Sequence, residues 1–196
     1  MRDNPFVILV SNTENRPFAS HIPVVIQEAG EHLTVRGLFA KANPHWLYLE
    51  KQPQCLTIFH GPHSYVSPSL YSNRESVPTW NYGAVHVYGT ARLYTSPEEL
   101  QGMLHELIRT FEMAYAMQWA ELDENYRKRM LGHIVGFEIS ATQVEAKFKL
   151  SQNRTKEEQA NIIAALCKSE DTAVSGVARL MQEHCLGVQP AKKEGE

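Results

Sequence analysis

Nothing in these 196 residues is apolar for long enough to cross a bilayer as a helix, which takes about 20 residues in a row. Met1-Arg2-Asp3-Asn4-Pro5 lacks the charged and then apolar layout of a secretory leader, so a cytoplasmic protein is expected. Cysteine is scarce: Cys55, Cys167 and Cys185 are odd in number and far apart, which excludes a disulfide framework or zinc-finger spacing and fits reduced thiols. Net positive charge is missing as well. With 19 basic and 22 acidic residues the formal charge is −3, so the basic footprint of a nucleic-acid-binding domain is absent. Repeats and low-complexity segments are lacking, and so are the Walker, G-x-G-x-x-G, G-x-S-x-G and Ser-His-Asp patterns. No catalytic residue is assigned; any chemistry would come from a bound cofactor.

What is present is an ordinary globular composition, 43% hydrophobic and 21% charged. The first 95 residues read as strands. Val7–Val10 is a short apolar run closed by the polar turn Ser11-Asn12-Thr13-Glu14-Asn15, and Ile22–Ile26 follows. In the third run Leu33, Val35 and Phe39 share one face and Thr34 and Arg36 the other, the period of two of a half-buried strand. Leu56–Phe59 is a fourth strand, stopped by Gly61-Pro62; Ala84–Tyr94 is the fifth, with Val85, Val87, Ala91 and Leu93 inward and His86, Tyr88, Thr90 and Arg92 outward. The sixth spans Ile134–Leu150. Its apolar positions change from odd to even near Thr142-Gln143, which calls for a bulge or corner of the kind closed barrels use. Helices interrupt the strands from about 97 to 131: Ser96-Pro97-Glu98-Glu99 is a start signal for one, and Glu121–Leu131 forms another. Thr155-Lys156-Glu157-Glu158 is a second capping box, opening a helical hairpin. The domain reading is therefore a mainly β domain with added helices over 1–154, a hairpin over 155–186 packed on it, and a disordered polar tail over 187–196.

Four segments carry polar and aromatic groups beyond what a core needs. The loop His60–Tyr71 suits either binding or a Pro-anchored connector whose hydroxyls cap turns. His60 and His63, with His45, invite a metal reading, but no acidic partner lies at ligand spacing and Gly61-Pro62 forbids a helical pair; no metal is assigned. In Ala40–Trp46, Lys41 and Asn43 precede a Pro-initiated helix where an anion is well received, whereas Trp46 equally closes a barrel end. Val77–Gly83 sets Trp80 and Tyr82 alternating with Thr79 and Asn81, which suits a planar heteroaromatic ligand or a dimer interface. Lys147–Arg154 is the densest set of anion-compatible groups, or else a lysine-guarded strand edge.

Together these segments resemble the PaiB-type, FMN-binding negative transcriptional regulators. The matching motifs are Ala42-Asn43-Pro44-His45-Trp46, Gly61-Pro62-His63-Ser64-Tyr65-Val66-Ser67-Pro68, Val77-Pro78-Thr79-Trp80-Asn81-Tyr82 and Lys149-Leu150-Ser151-Gln152-Asn153-Arg154, in the family's order and over almost the whole chain. The resemblance implies a six-stranded antiparallel split β-barrel, the pyridoxamine-oxidase-like FMN-binding split barrel, with a helical excursion and a C-terminal helical hairpin. It implies a homodimer with FMN near the subunit interface. Carried onto this chain, the cofactor-binding residues would be Lys41, Asn43 and Trp46, with the phosphate near Lys41 and Asn43; Ser64, Tyr65 and Ser67; Thr79, Trp80 and Asn81; and Lys149, Ser151, Gln152, Asn153 and Arg154, some of them facing the partner subunit's flavin. Two departures stand out. Leu38 occupies the position, two before Ala40, where a histidine is expected, and only about six residues precede Val7, so an N-terminal helical piece is expected to be missing.

The expected function is a flavin-dependent or flavin-sensing regulator. The alternatives are a flavin-dependent oxidoreductase of an unknown small substrate, a haem-binding split barrel resting on the nine histidines, and an interaction module without cofactor. Direct DNA binding would have to use the local cluster Lys147, Lys149, Arg154 and Lys156, against the net charge.

Overall fold

The computed structural model describes residues 1–14, 16–30 and 32–185; the expected tail over 187–196 lies outside them. Six strands, β1 (Phe6–Asn12), β2 (Pro17–Ala29), β3 (His32–Ala40), β4 (Gln54–Val66), β5 (Thr79–Tyr94) and β6 (Ile134–Lys149), close into a barrel in the order β1-β2-β3-β6-β5-β4. Pairing is antiparallel, with Val7 opposite Ile22, Val24 opposite Gly37, Val35 opposite Ile139 and Val10 opposite Leu56. Among the described residues the α-helices are α1 (His45–Lys51), α2 (Pro97–Phe111), α3 (Tyr115–Glu121), α4 (Glu124–Leu131), α5 (Lys156–Leu166) and α6 (Thr172–Cys185). By packing, the described residues divide into two compact units, one within 1–59 and 85–145, the other within 60–84 and 146–185; β4, β5 and β6 each pass from one to the other part-way along.

The first unit holds the barrel core. Strand alternation turns Val7 and Leu9, Ile22 and Val24, Val35 and Phe39, and Phe137 and Ile139 inward, where Phe59, Val87 and Leu49 of α1 join them. Each large side chain so buried contributes about 1.5–3 kcal/mol. The Cys55 thiol is buried beside the Gly89 carbonyl, 3.7 Å away, and burial pushes its pKa up to about 12. Gly89 is required by close approach: a Cβ there would stand 2.5 Å from the Ser140 carbonyl oxygen and 2.6 Å from Ile139 Cγ2. Ser96 caps α2 as its sequence signals, accepting from the Glu99 N–H at 3.4 Å, and the helix buries Leu100, Met103 and Ile108. Arg36 of β3 ties it down from outside, bonding Glu106 at 2.7 Å and Glu138 at 3.1 Å. The helix expected over 121–131 is α4, which starts three residues later at Glu124 because the Asp123 carboxylate caps the Tyr126 N–H at 2.9 Å; a separate helix, α3, precedes it.

The second unit gathers the far ends of β4, β5 and β6 under the C-terminal helical pair. Val66, Leu150, Ile162, Val177, Ala178 and Met181 form its core. Thr155 and Glu158 make the capping box at the start of α5. Gly61-Pro62 does not stop β4, which continues to Val66. The glycine lets two backbones meet, a Cβ on Gly61 falling 2.9 Å from the Gly83 carbonyl oxygen, and Pro62 packs where Gly176 of α6 leaves room. β6 likewise runs on through Thr142-Gln143, and what changes there is its surroundings. Val135, Phe137 and Ile139 are buried, whereas every residue from Thr142 to Lys149 is exposed, so the even-numbered Val144 and Phe148 do not enter the barrel core.

Because backbone cannot yield as a flexible side chain does, Gly89→Ala is expected to destabilise the protein by about 1–3 kcal/mol, read as a lower urea midpoint with an unchanged slope.

Candidate functional site

Where β6 ends, the chain makes a turn that local propensity does not favour. Ser151 has φ = 57°, and among the described residues it is the one non-glycine residue with positive φ. This left-handed conformation costs an L-residue on the order of 1–2 kcal/mol, so the surroundings must over-determine it. They do. The Ser151 hydroxyl lies 3.0 and 3.1 Å from the nitrogen and oxygen of the fully buried Asn81 carboxamide. The Ser151 carbonyl accepts from Gln159 Nε2 at 3.2 Å and from the Arg154 N–H at 3.0 Å, and the same Gln159 amide donates to the Arg154 carbonyl at 3.0 Å. Gln152 closes the other side, accepting from the Leu150 N–H at 2.8 Å and donating to the Phe148 carbonyl at 2.6 Å.

This turn shapes a cavity of about 260 Å³ whose walls include Tyr71, Val77, Pro78, Thr79, Asn81, Lys149, Ser151, Gln152, Asn153 and Arg154. Among the described residues two cations and no carboxylate line it. The Arg154 guanidinium lies 3.8 Å over the Tyr71 ring, which leaves its in-plane N–H donors free to face a ligand. Lys149 Nζ donates to Thr79 Oγ1 at 2.6 Å. The Tyr71 hydroxyl is buried without a partner, a group that favours any ligand bringing it one. The donor set and the lack of opposing charge suit a phosphate or carboxylate group.

Seven of the fourteen residues proposed from sequence thus line one cavity: Thr79, Asn81, Lys149, Ser151, Gln152, Asn153 and Arg154. Tyr65 and Trp80 belong to the same unit as an exposed aromatic pair, with ring centroids 6.1 Å apart and edge-to-face, and His63 stacks on Trp80 at 6.3 Å. The hydroxyls of Ser64 and Ser67 are engaged locally, Ser64 donating to the Tyr65 carbonyl at 3.0 Å and Ser67 accepting from the Ser69 N–H at 3.2 Å. Lys41, Asn43 and Trp46 belong to the first unit. There the Asn43 amide is engaged at both atoms, donating to Ser20 Oγ at 3.0 Å and accepting from the His45 N–H at 3.0 Å, and Trp46 Nε1 donates to the Lys41 carbonyl at 3.0 Å. At the start of α1 the His45 N–H is thus engaged by the Asn43 side chain, and Lys41 stands exposed beside it. His45, wholly buried between Phe18 and Phe39, contacts Ser20 Oγ at 2.8 Å, and burial lowers its pKa to about 4. Among the described residues no three His, Cys, Asp or Glu side chains gather as metal ligands. Sequence reading missed Tyr71, Gln159 and Glu158, whose carboxylate accepts from the Ser72 N–H at 3.1 Å. Only Tyr71, closing the singled-out loop, carried any signal.

Residues 1–143 match the family model described as "Putative FMN-binding domain". The chain belongs to that family. Among curated proteins it is 35% identical to "Protease synthase and sporulation protein PAI 2" of Bacillus subtilis, over 93% of this chain and 88% of that one, which agrees with the PaiB resemblance of the four motifs. An uncharacterized protein of Emericella nidulans is 29% identical over 93% of this chain and 90% of its own length. Among solved structures, the FAD and haem binding protein of Mycobacterium smegmatis superposes with a TM-score of 0.55 at 17% identity, covering 76% of this chain and 67% of that one. The flavocytochrome Anf3 of Azotobacter vinelandii gives 0.53 at 15%, covering 74% and 62%. At such identities the likeness speaks for the fold, and the fold is the FMN-binding split barrel.

The buried His45 makes stability depend on pH. The folded chain keeps it neutral down to about pH 4, whereas the unfolded chain takes up the proton near pH 6.5, so the unfolded state binds more protons between those values. Stability from this group is full above about pH 6.5 and falls by up to about 3 kcal/mol as pH drops towards 4. Urea midpoints measured across that range should fall more steeply for the wild-type protein than for His45→Gln.

Proposed function

We propose that this protein holds FMN in the Lys149–Arg154 cavity and acts as a flavin-dependent or flavin-sensing regulator, as a cytoplasmic homodimer with the site at the subunit interface. The observation that carries this reading is the cavity of two cations and no carboxylate beside a left-handed Ser151. Lys149 and Arg154 would meet the phosphate, with the Thr79 hydroxyl, already oriented by Lys149, as a further donor or acceptor. The buried Asn81 keeps Ser151 in place and is a positioning residue. Trp80 and Tyr65 offer flat, half-exposed rings in the same unit for the heteroaromatic part of the cofactor. Bound FMN would supply one- and two-electron transfer, chemistry that no side chain of this protein provides.

The membership of the FMN-binding family supports the cofactor. The regulatory half rests on the Bacillus subtilis relative, whose name ties it to protease synthesis and sporulation. The dimer is supported by apolar surface that a single chain leaves wet beside the cavity: Val77 is 73% exposed and Trp80 54%. A net charge of −3 argues that regulation does not run through non-specific attraction to phosphate backbones.

Freshly purified protein should absorb in the blue or quench the fluorescence of added FMN. Arg154→Ala and Lys149→Ala should each weaken FMN about 10- to 100-fold, and riboflavin, which lacks the phosphate, should bind the wild-type protein correspondingly weakly. Colourless protein that leaves FMN fluorescence untouched refutes the reading. Sedimentation should report a dimer that Trp80→Asp converts to monomer.

A further inference from the structure

The helical excursion of the first unit encloses a polar space of its own. Gln101 of α2, Trp119 of α3 and Glu124, Arg127, Lys128 and Leu131 of α4 line a cavity of about 190 Å³. Trp119 is only 6% exposed, yet its indole N–H has no acceptor, and the Arg127 Nε is buried without one as well. Two buried donors left unmet in one place are unusual in a folded chain, since each carries the desolvation cost of a hydrogen bond not made. The carboxylate among the described lining residues does not answer them: Glu124 is bound to Lys128 at 2.6 Å. Counting the described lining, Arg127 and Lys128 against Glu124 leave one positive charge unbalanced, beside the half-buried Arg127.

We propose that this cavity is a binding site for a small organic acid, a single carboxylate on a short apolar stem. The Trp119 N–H and the Arg127 guanidinium supply donors for the carboxylate oxygens, and Gln101 a further amide. The Trp119 ring and the buried Leu131 give the stem an apolar wall. One negative charge balances the lining, which favours a carboxylate over a doubly charged phosphate. Water alone would fit, because one molecule needs only roughly 10–15 Å³, but neutral water leaves the arginine charge uncompensated. The site lies apart in sequence from every residue of the flavin reading and does not rest on it.

The test is a titration of the full-length protein with butyrate, followed by calorimetry and thermal melting, with neutral butyramide and inorganic phosphate as comparisons. Butyrate should raise the melting temperature in a saturable way, and both comparison ligands should be at least about tenfold weaker. Trp119→Phe keeps the ring and removes the donor; Arg127→Gln removes the charge. Each should weaken butyrate about tenfold or more, while Arg127→Lys recovers part of the loss. A wild-type protein with no saturable response, or one that treats butyrate and butyramide alike, overturns the proposal and leaves water as the filling. So does an unchanged butyrate affinity in Arg127→Gln. If either variant fails to give a folded circular dichroism spectrum, the wild-type comparison of butyrate with butyramide decides alone. Running the titration with and without FMN separates this site from the flavin reading.

Discussion

A carboxamide with no access to water must find partners inside the protein, and in the second unit that requirement falls on Asn81. It meets the hydroxyl of Ser151, 70 residues away in sequence, and the meeting pins a backbone conformation that serine would not adopt unaided. The other contacts of the turn reinforce this one: Gln159 reads two of its carbonyls, Gln152 bridges the residues just before it, and Leu150 roots it in the apolar core. Without the Asn81–Ser151 pair the order of these groups would have little to hold it, because the individual bonds are each worth only about 1 kcal/mol. The positions of Lys149 and Arg154, one before the pinned pair and one after it, follow from the same restraint.

The fold was largely legible because strand burial follows a period of two that survives in the residues themselves. Val7 and Leu9, Val35 and Phe39, and Phe137 and Ile139 needed only alternation to be placed inward. Where the reading went astray, a local signal was overruled by a neighbour distant in sequence. Gly61-Pro62 looks like a strand end, yet close approach to Gly83 turns the glycine into a reason for the strand to continue. The change of parity in β6, read as a bulge or corner, coincides with a change of surroundings: the earlier residues face the barrel core and the later ones are exposed. Asp123 looked like an interior residue of one helix and is the cap of another.

The candidate site was legible in outline and opaque in its division of labour. Residue type and motif order drew attention to the right segments, because phosphate-compatible and aromatic side chains stand out from the apolar pattern around them. What those side chains do depends on which atoms are already engaged. Asn43 reads as a phosphate ligand, yet its amide oxygen is engaged in its own turn and its nitrogen on Ser20 of β2, and the Trp46 N–H is engaged on Lys41. Tyr71 and Gln159 had no such label, since a ring under a guanidinium and an amide between two carbonyls are matters of three-dimensional closeness alone.

The outer half of β6 carries a different kind of information. From Thr142 to Lys149 it is exposed on both faces, and Val144 and Phe148 are wet although they are strand formers. Wet apolar positions on a strand favour association with neighbouring molecules. Gln143, Glu145, Lys147 and Lys149 occupy the alternate positions, so one face of this stretch is polar and charged while Val144, Ala146 and Phe148 share the other. Lys149 thus has a place in two accounts of the chain, as a cation of the candidate cavity and as one of the polar side chains that break up the outer half of β6.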